Sequence, residues 1–139
     1  ADLIIALPPG TGRGPLTRAQ MLSLSGAVIV CTPQKVAQDD AVRAARMFQQ
    51  LEIDVLGVVE NMSFFIGDDG KEYDIFGRGG AEQMAQRLGL PFLGAIPISM
   101  KMREFCDAGQ PTKNFTDAGS DICAALEEVG KRVEDEVAM

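Results

Sequence analysis

The 139-residue sequence predicts an α/β fold, a mainly parallel sheet with flanking helices, in a single domain spanning residues 1–139. Three observations carry that expectation. Short, continuous apolar runs recur along the chain, as in strands buried on both faces. Segments with apolar residues three and four apart lie between them. Gly and Pro close the runs, so the connections are short.

The first run is Leu3-Ile4-Ile5-Ala6-Leu7, ended by Pro8-Pro9-Gly10. The second is Ala27–Cys31 before Thr32-Pro33, the third Val55–Val59, and the fourth Phe92–Ile96 before Pro97. A helix is expected over 38–51, with Val42, Ala45 and Phe48 on one face and Asp39 and Asp40 in its favourable first turn. Another is expected over 80–88, with Ala81, Met84, Ala85 and Leu88 on one face and Gly89 as its stop. A third, over 118–137, aligns Ile122, Leu126, Val129, Val133 and Val137. One segment breaks the alternation. Phe64–Ile66 and Tyr73–Phe76 flank Asp69-Gly70, a hairpin-turn pair, so a small β-hairpin is expected. Asp68 and Asp69 have the chemistry of hard-metal ligands, but at a hairpin tip they read as solvated.

Composition excludes several function classes. The net charge is −7, from 13 basic and 20 acidic residues, so neither nucleic acid nor an anionic membrane is the expected partner. Much of the acidity sits at 117–139, where seven acids face only Lys131 and Arg132. No apolar run approaches the roughly 18–20 residues of a membrane span, and no secretory signal pattern is present. Histidine is absent, which removes histidine-based triads and metal sites from this stretch. Three cysteines, Cys31, Cys106 and Cys123, form no C-x-x-C pair and no disulfide framework, and a reducing cytoplasm is the expected compartment. Cys31, at a strand end, reads as a small core residue.

The glycine-rich stretch Pro8-Pro9-Gly10-Thr11-Gly12-Arg13-Gly14 follows an expected strand and precedes an expected helix. Glycines there let backbone N–H groups approach a phosphate at the carboxyl edge of a sheet. A tight connection without ligand fits the same residues. The spacing is not G-x-G-x-x-G, Cys31 occupies the position of a ribose-binding acid, and G-x-x-x-x-G-K-[ST] occurs nowhere in the 139 residues. Asn61, at the end of the third run, suits either a ligand or a turn.

Longer motifs follow one another in order. They are Leu3–Gly12, Leu24–Val30, Thr32-Pro33-Gln34 with Val36-Ala37, Gly57–Phe65, Ile75-Phe76-Gly77 with Gly79-Gly80-Ala81, Pro91–Pro97, and Asp107-Ala108-Gly109 with Pro111. From residue 2 to about 111 the chain resembles the C-terminal half of the Mrp family, the MinD/ParA-like deviant P-loop ATPases that carry iron–sulfur clusters. The resemblance implies ATP and Mg²⁺ as cofactors, a homodimer with nucleotide between its subunits, and iron–sulfur client proteins. It implies that Pro9, Gly10, Thr11 and Gly12 form the switch II loop near the γ-phosphate. It also implies that Asn61 hydrogen-bonds the adenine, that the Pro97 loop closes over the base, and that Thr32 and Pro33 lie nearby.

Departures from the pattern set further expectations. The family's P-loop is expected upstream of Ala1, and without its lysine the phosphates and Mg²⁺ are not held for hydrolysis. Ala6 stands where the family has a Mg²⁺-orienting aspartate, and Arg13 replaces a second aspartate. Where many relatives carry C-x-x-C, this chain has Ile66-Gly67-Asp68-Asp69-Gly70, so cluster binding by that motif is not expected. The expectation is therefore a family member without ATP hydrolysis of its own. The alternative is a catalytically silent α/β module that self-associates. An unpaired apolar edge at Leu3–Leu7 would favour a homodimer or strand-exchanged oligomer.

Overall fold

The computed structural model describes residues 3–7 and 23–138. Its main sheet has three parallel strands in the order β1-β2-β5, namely β1 Ala27–Cys31, β2 Val55–Glu60 and β5 Phe92–Ala95. Helix α1 (Lys35–Gln50) connects β1 to β2. A hairpin of β3 (Phe65–Ile66) and β4 (Glu72–Tyr73), then α2 (Gly80–Leu88), connect β2 to β5. Helix α3 (Met100–Asp107), a 3₁₀ turn (Pro111–Phe115) and α4 (Ser120–Ala138) follow. The crossovers are helical because parallel neighbours need a long return connection.

Side-chain alternation along the strands splits the core into two layers. On one face Ile29, Cys31 and Val58 meet Ala41 and Ala45 of α1 and Ala81, Met84 and Ala85 of α2. The small residues on both helices let the backbones approach the sheet closely. On the other face Val59, Leu93 and Ile96 meet Met102, Leu126, Val129 and Val133. Full burial of a side chain such as Val58, Met84 or Leu93 contributes roughly 1.5–3 kcal/mol each.

Several elements fall where the periodicity places them. Helix α2 matches its expected span, and Gly89 ends it at φ 70° with the Leu90 N–H donating back to Ala85 O at 2.8 Å. In α4, Ile122 is buried and Leu126, Val129 and Val133 pack on the core, while Val137 is exposed. Helix α1 begins three residues earlier than expected, so Asp39 and Asp40 lie in its second turn and its first turn holds no acid. The hairpin strands are two residues each, and Ile75 and Phe76 fall outside them, exposed. Asp69 closes the hairpin, accepting from the Lys71 N–H at 3.0 Å and the Tyr73 hydroxyl at 2.6 Å.

The largest correction concerns Leu3–Leu7. No strand forms there, and no ladder pairs it among the described residues. Leu3 and Ile4 are 86% and 91% exposed, and only Leu7 packs, against the cluster of Ala27, Met47 and Phe48. An apolar run becomes a doubly buried strand only with ladder partners and two covered faces, and the described residues supply neither. The same shortfall reaches β1. Its Ala27, Ile29 and Cys31 are buried, but Val28 and Val30 are exposed, because α4 covers β5 and β2 rather than β1.

Candidate functional site

Parallel strands bring their carboxyl ends to one edge, and the loops leaving that edge are the natural ligand-binding position in an open α/β sheet. Here the ladder aligns Cys31 with Glu60 and Glu60 with Ala95. The Asn61 N–H donates to Cys31 O at 2.8 Å, and the Ile96 N–H donates to Glu60 O at 2.8 Å. The ladder therefore runs one residue past each strand and fixes the loop starts. Thr32-Pro33, Asn61 and Pro97 arrive on the same edge. The expected Pro9, Gly10, Thr11 and Gly12 lie outside the described residues, as do Arg13 and the helix expected after Gly14.

The organiser of this edge is Glu60, which the motif reading passed over. It is 2% exposed, and both carboxylate oxygens are engaged. Oε2 accepts from the Ser63 hydroxyl at 2.6 Å, and Oε1 accepts from the Ala81 N–H at 3.3 Å. The second contact lies in the first turn of α2, where free N–H groups and the helix dipole favour an anion. One carboxylate thus ties the loop after β2 to the start of α2. The available signal was an acid closing five residues of strand-type apolar sequence, a position where water is unavailable and partners are obligatory.

The loop itself is tightly turned. Met62 adopts φ 54°, and Asn61 Oδ1 accepts from the Met62 N–H at 2.9 Å. Asn61 is half-buried, and its amide oxygen has a second lone pair while its Nδ2 is a donor. That combination suits the edge of a purine base and is compatible with the turn. Ser63 N–H donates to Ile96 O at 2.9 Å and Ile98 N–H donates to Phe64 O at 2.6 Å, so the Asn61 and Pro97 loops are stitched together. Ser99 caps α3, its hydroxyl accepting from the Met102 N–H at 3.2 Å.

On the β1 side, Gln38 Nε2 donates to Pro33 O at 2.7 Å. This bond packs against Gly80. A Cβ there would lie 2.9 Å from Pro33 O and collide with the Gln38 amide, so only glycine permits this approach of α2 to the Pro33 loop. Pro33 and Pro97 are buried and Thr32 is half-buried. Burial first, and then the charge of Glu60 beside it, push the Cys31 thiol up to about 11, which makes it the inert core residue expected from sequence.

A cavity of about 180 Å³ lies beside the Pro97 loop, lined by Phe65, Ile66, Pro97, Ser99, Met100 and Ile122 among others. It is smaller than the roughly 300–1,000 Å³ typical of cofactor sites, and neither Asn61 nor Thr32 lines it. The base-binding candidate is therefore the open loop edge. No group of three or more Cys, Asp or Glu residues arranged to hold a metal exists among the described residues, and Ala6 is exposed and carries no ligand atom on its side chain. The described residues fit a base and do not fit Mg²⁺. No described helix is long and apolar enough to cross a membrane.

Comparison with known proteins identifies relatives of this chain. Residues 2–134 match the ParA family described as NUBPL iron-transfer P-loop NTPase. The iron–sulfur cluster carrier protein of Synechocystis is 43% identical over 139 residues, covering 99% of this chain and 39% of its own length. The nucleotide-binding protein of Archaeoglobus fulgidus, solved in complex with ADP, superposes with a TM-score of 0.71 at 36% identity, over 84% of this chain and 46% of that one. The cell division ATPase MinD of Pyrococcus furiosus shares the fold, with a TM-score of 0.68 at 18% identity over 93% of this chain and 49% of its own. The chain thus spans 39% and 46% of the length of the Synechocystis and Archaeoglobus relatives. With a parallel sheet whose carboxyl edge carries the Asn61 and Pro97 loops, and with a match over nearly its whole length, the chain belongs to the ParA/NUBPL iron-transfer P-loop NTPase family.

Proposed function

We propose that this chain supplies the base-binding part of an ATP-dependent iron–sulfur cluster carrier. Asn61 reads the adenine edge, Pro97 and its loop cover the base, Thr32 and Pro33 wall the other side, and Glu60 holds the loops in register. The observation that carries this reading is the joining of the Asn61 and Pro97 loops by the Ser63–Ile96 and Ile98–Phe64 hydrogen bonds at the carboxyl edge of the sheet. The ADP complex of the Archaeoglobus relative supports it.

Phosphate and Mg²⁺ binding belong to residues other than those described, with Pro9–Gly12 as the contribution of this chain. The 139 residues contain no G-x-x-x-x-G-K-[ST], and on their own they bind nucleotide weakly and do not hydrolyse ATP. The cluster is cargo rather than a resident group. The hairpin at 66–70 holds no cysteine, so a cluster is not carried there. The working form is a cytoplasmic homodimer that delivers to iron–sulfur client proteins. A phosphate-release assay on the 139-residue chain with ATP and Mg²⁺ tests the catalytic part. No turnover is expected, and turnover that responds to Asn61→Ala would overturn it.

A second reading is a silent self-associating module. The exposed Leu3, Ile4, Val28 and Val30 favour it. Sedimentation at micromolar concentration is expected to show a dimer or larger species, and a stable monomer would contradict it.

A further inference from the structure

The turn leading into α2 carries an arginine whose contacts reach back to the loop after β2. The Arg78 guanidinium carbon sits 4.5 Å from the centre of the Phe64 ring. Its Nη1 lies 2.6 Å from Glu72 Oε2 and 3.7 Å from Asp74 Oδ1. One side chain therefore joins the loop after β2, strand β4 and the turn before α2. The hydrogen bond to Glu72 does most to raise the Arg78 pKa, and the charges of Asp74 and Glu60 add to it, so the cation also feels the buried organiser of the edge.

Phe64 is where this contact meets the candidate site. The residue is half-buried, and its backbone oxygen accepts from the Ile98 N–H at 2.6 Å. Its neighbour Phe65 forms an isolated parallel bridge with Ile98. This end of the join between the Asn61 and Pro97 loops therefore depends on how Phe64 is held. Ion pairs to exposed acids are weak and screened by solvent, whereas a planar guanidinium stacked on an aromatic face is less so. The ring contact thus sets the position, and the two carboxylates aim the guanidinium at it. We propose that Arg78 is a positioning residue: by clamping the Phe64 ring it holds the Phe64 carbonyl against the Ile98 amide and fixes the separation of the Asn61 and Pro97 loops. Its consequence for base affinity rests on the proposed function, whereas the clamp itself does not.

Amide hydrogen exchange of the ligand-free 139-residue chain reads the clamp directly. In Arg78→Ala the Ile98 amide is expected to exchange about two- to fivefold faster. The Val58 amide, which donates to Pro91 O at 3.0 Å within the covered sheet, is expected to keep its rate, as a general loss of stability would not allow. Arg78→Lys keeps the charge without the plane and recovers part of the protection. Phe64→Leu, which leaves the backbone carbonyl in place, reproduces the effect of Arg78→Ala, and the double variant adds nothing further, because the arginine acts through the ring. ADP affinity falls in the order parent, Arg78→Lys, Arg78→Ala, by up to about fivefold. An Ile98 rate unchanged in Arg78→Ala, equal acceleration at Val58, additive effects in the double variant, or equal ADP affinity in Arg78→Ala and a parent that binds it would each overturn the proposal. A parent chain that gives no response to ADP would instead defeat the base-binding reading, and the exchange comparison would still decide the role of Arg78.

Discussion

The β2–β5 side of the sheet and the β1 flank are built from similar apolar sequence but end in different states. Val58, Val59 and Leu93 have helices on both faces and are essentially inaccessible. Beyond them the chain spends its hydrogen-bonding groups on fixing three loops around Glu60. Val28 and Val30 of β1 face solvent, and Leu3 and Ile4 are more exposed still. The difference teaches that apolar content alone does not bury a strand; a covering layer on each face does. It also predicts that damage concentrates on the covered side and that association concentrates on the uncovered one.

The largest effect is expected at Glu60. Glu60→Ala leaves Ser63 Oγ and the Ala81 N–H without their partner and opens a cavity, so a loss of about 2–4 kcal/mol is expected in urea unfolding. Glu60→Gln keeps one acceptor and is expected to lose less. A Glu60→Ala protein as stable as the parent would remove the distinction between the two sides. Gly80→Ala comes next, with about 1–3 kcal/mol expected from the clash with Pro33 O and Gln38.

The Cys31 thiol gives a pH signature on the covered side. Its folded value of about 11 lies above the ordinary 9.0, so the folded state holds its proton more tightly than the unfolded chain. That contribution is complete below about pH 9 and is lost as pH rises toward 11. Urea unfolding at pH 8 and pH 10.5 is expected to show this fall, and Cys31→Ala to flatten it.

On the uncovered flank the smallest stability effect is expected. Val30→Ser changes stability by no more than about 0.5 kcal/mol, because its side chain is 59% exposed. The same substitution, paired with Ile4→Lys, is expected to shift sedimentation toward monomer. A loss of stability with no change in association would show that the flank is covered within one chain.

Much of this contrast was legible in the sequence. Periodicity located α2 to the residue and the apolar stripe of α4, because both obey a strict 3.6-residue repeat and Gly89 supplies an unambiguous stop. The strand ends at Thr32-Pro33 and Pro97 were legible because proline halts a ladder. Leu3–Leu7 was misread because a doubly buried strand and an uncovered apolar segment have the same composition; only the presence of neighbours separates them. Glu60 went unnoticed because its partners, Ser63 and the Ala81 N–H, meet it only after β2 and α2 are brought together, the latter from 21 residues away.

The central claim is that the Asn61 and Pro97 loops form the base-binding edge. It is tested most directly by titrating ADP into the isotope-labelled 139-residue chain and following backbone amide resonances. Shifts confined to Thr32, Asn61, Met62 and Ile98, and lost in Asn61→Ala, are the expected result. Millimolar ADP that leaves these amides unmoved, or moves a different surface, would contradict it.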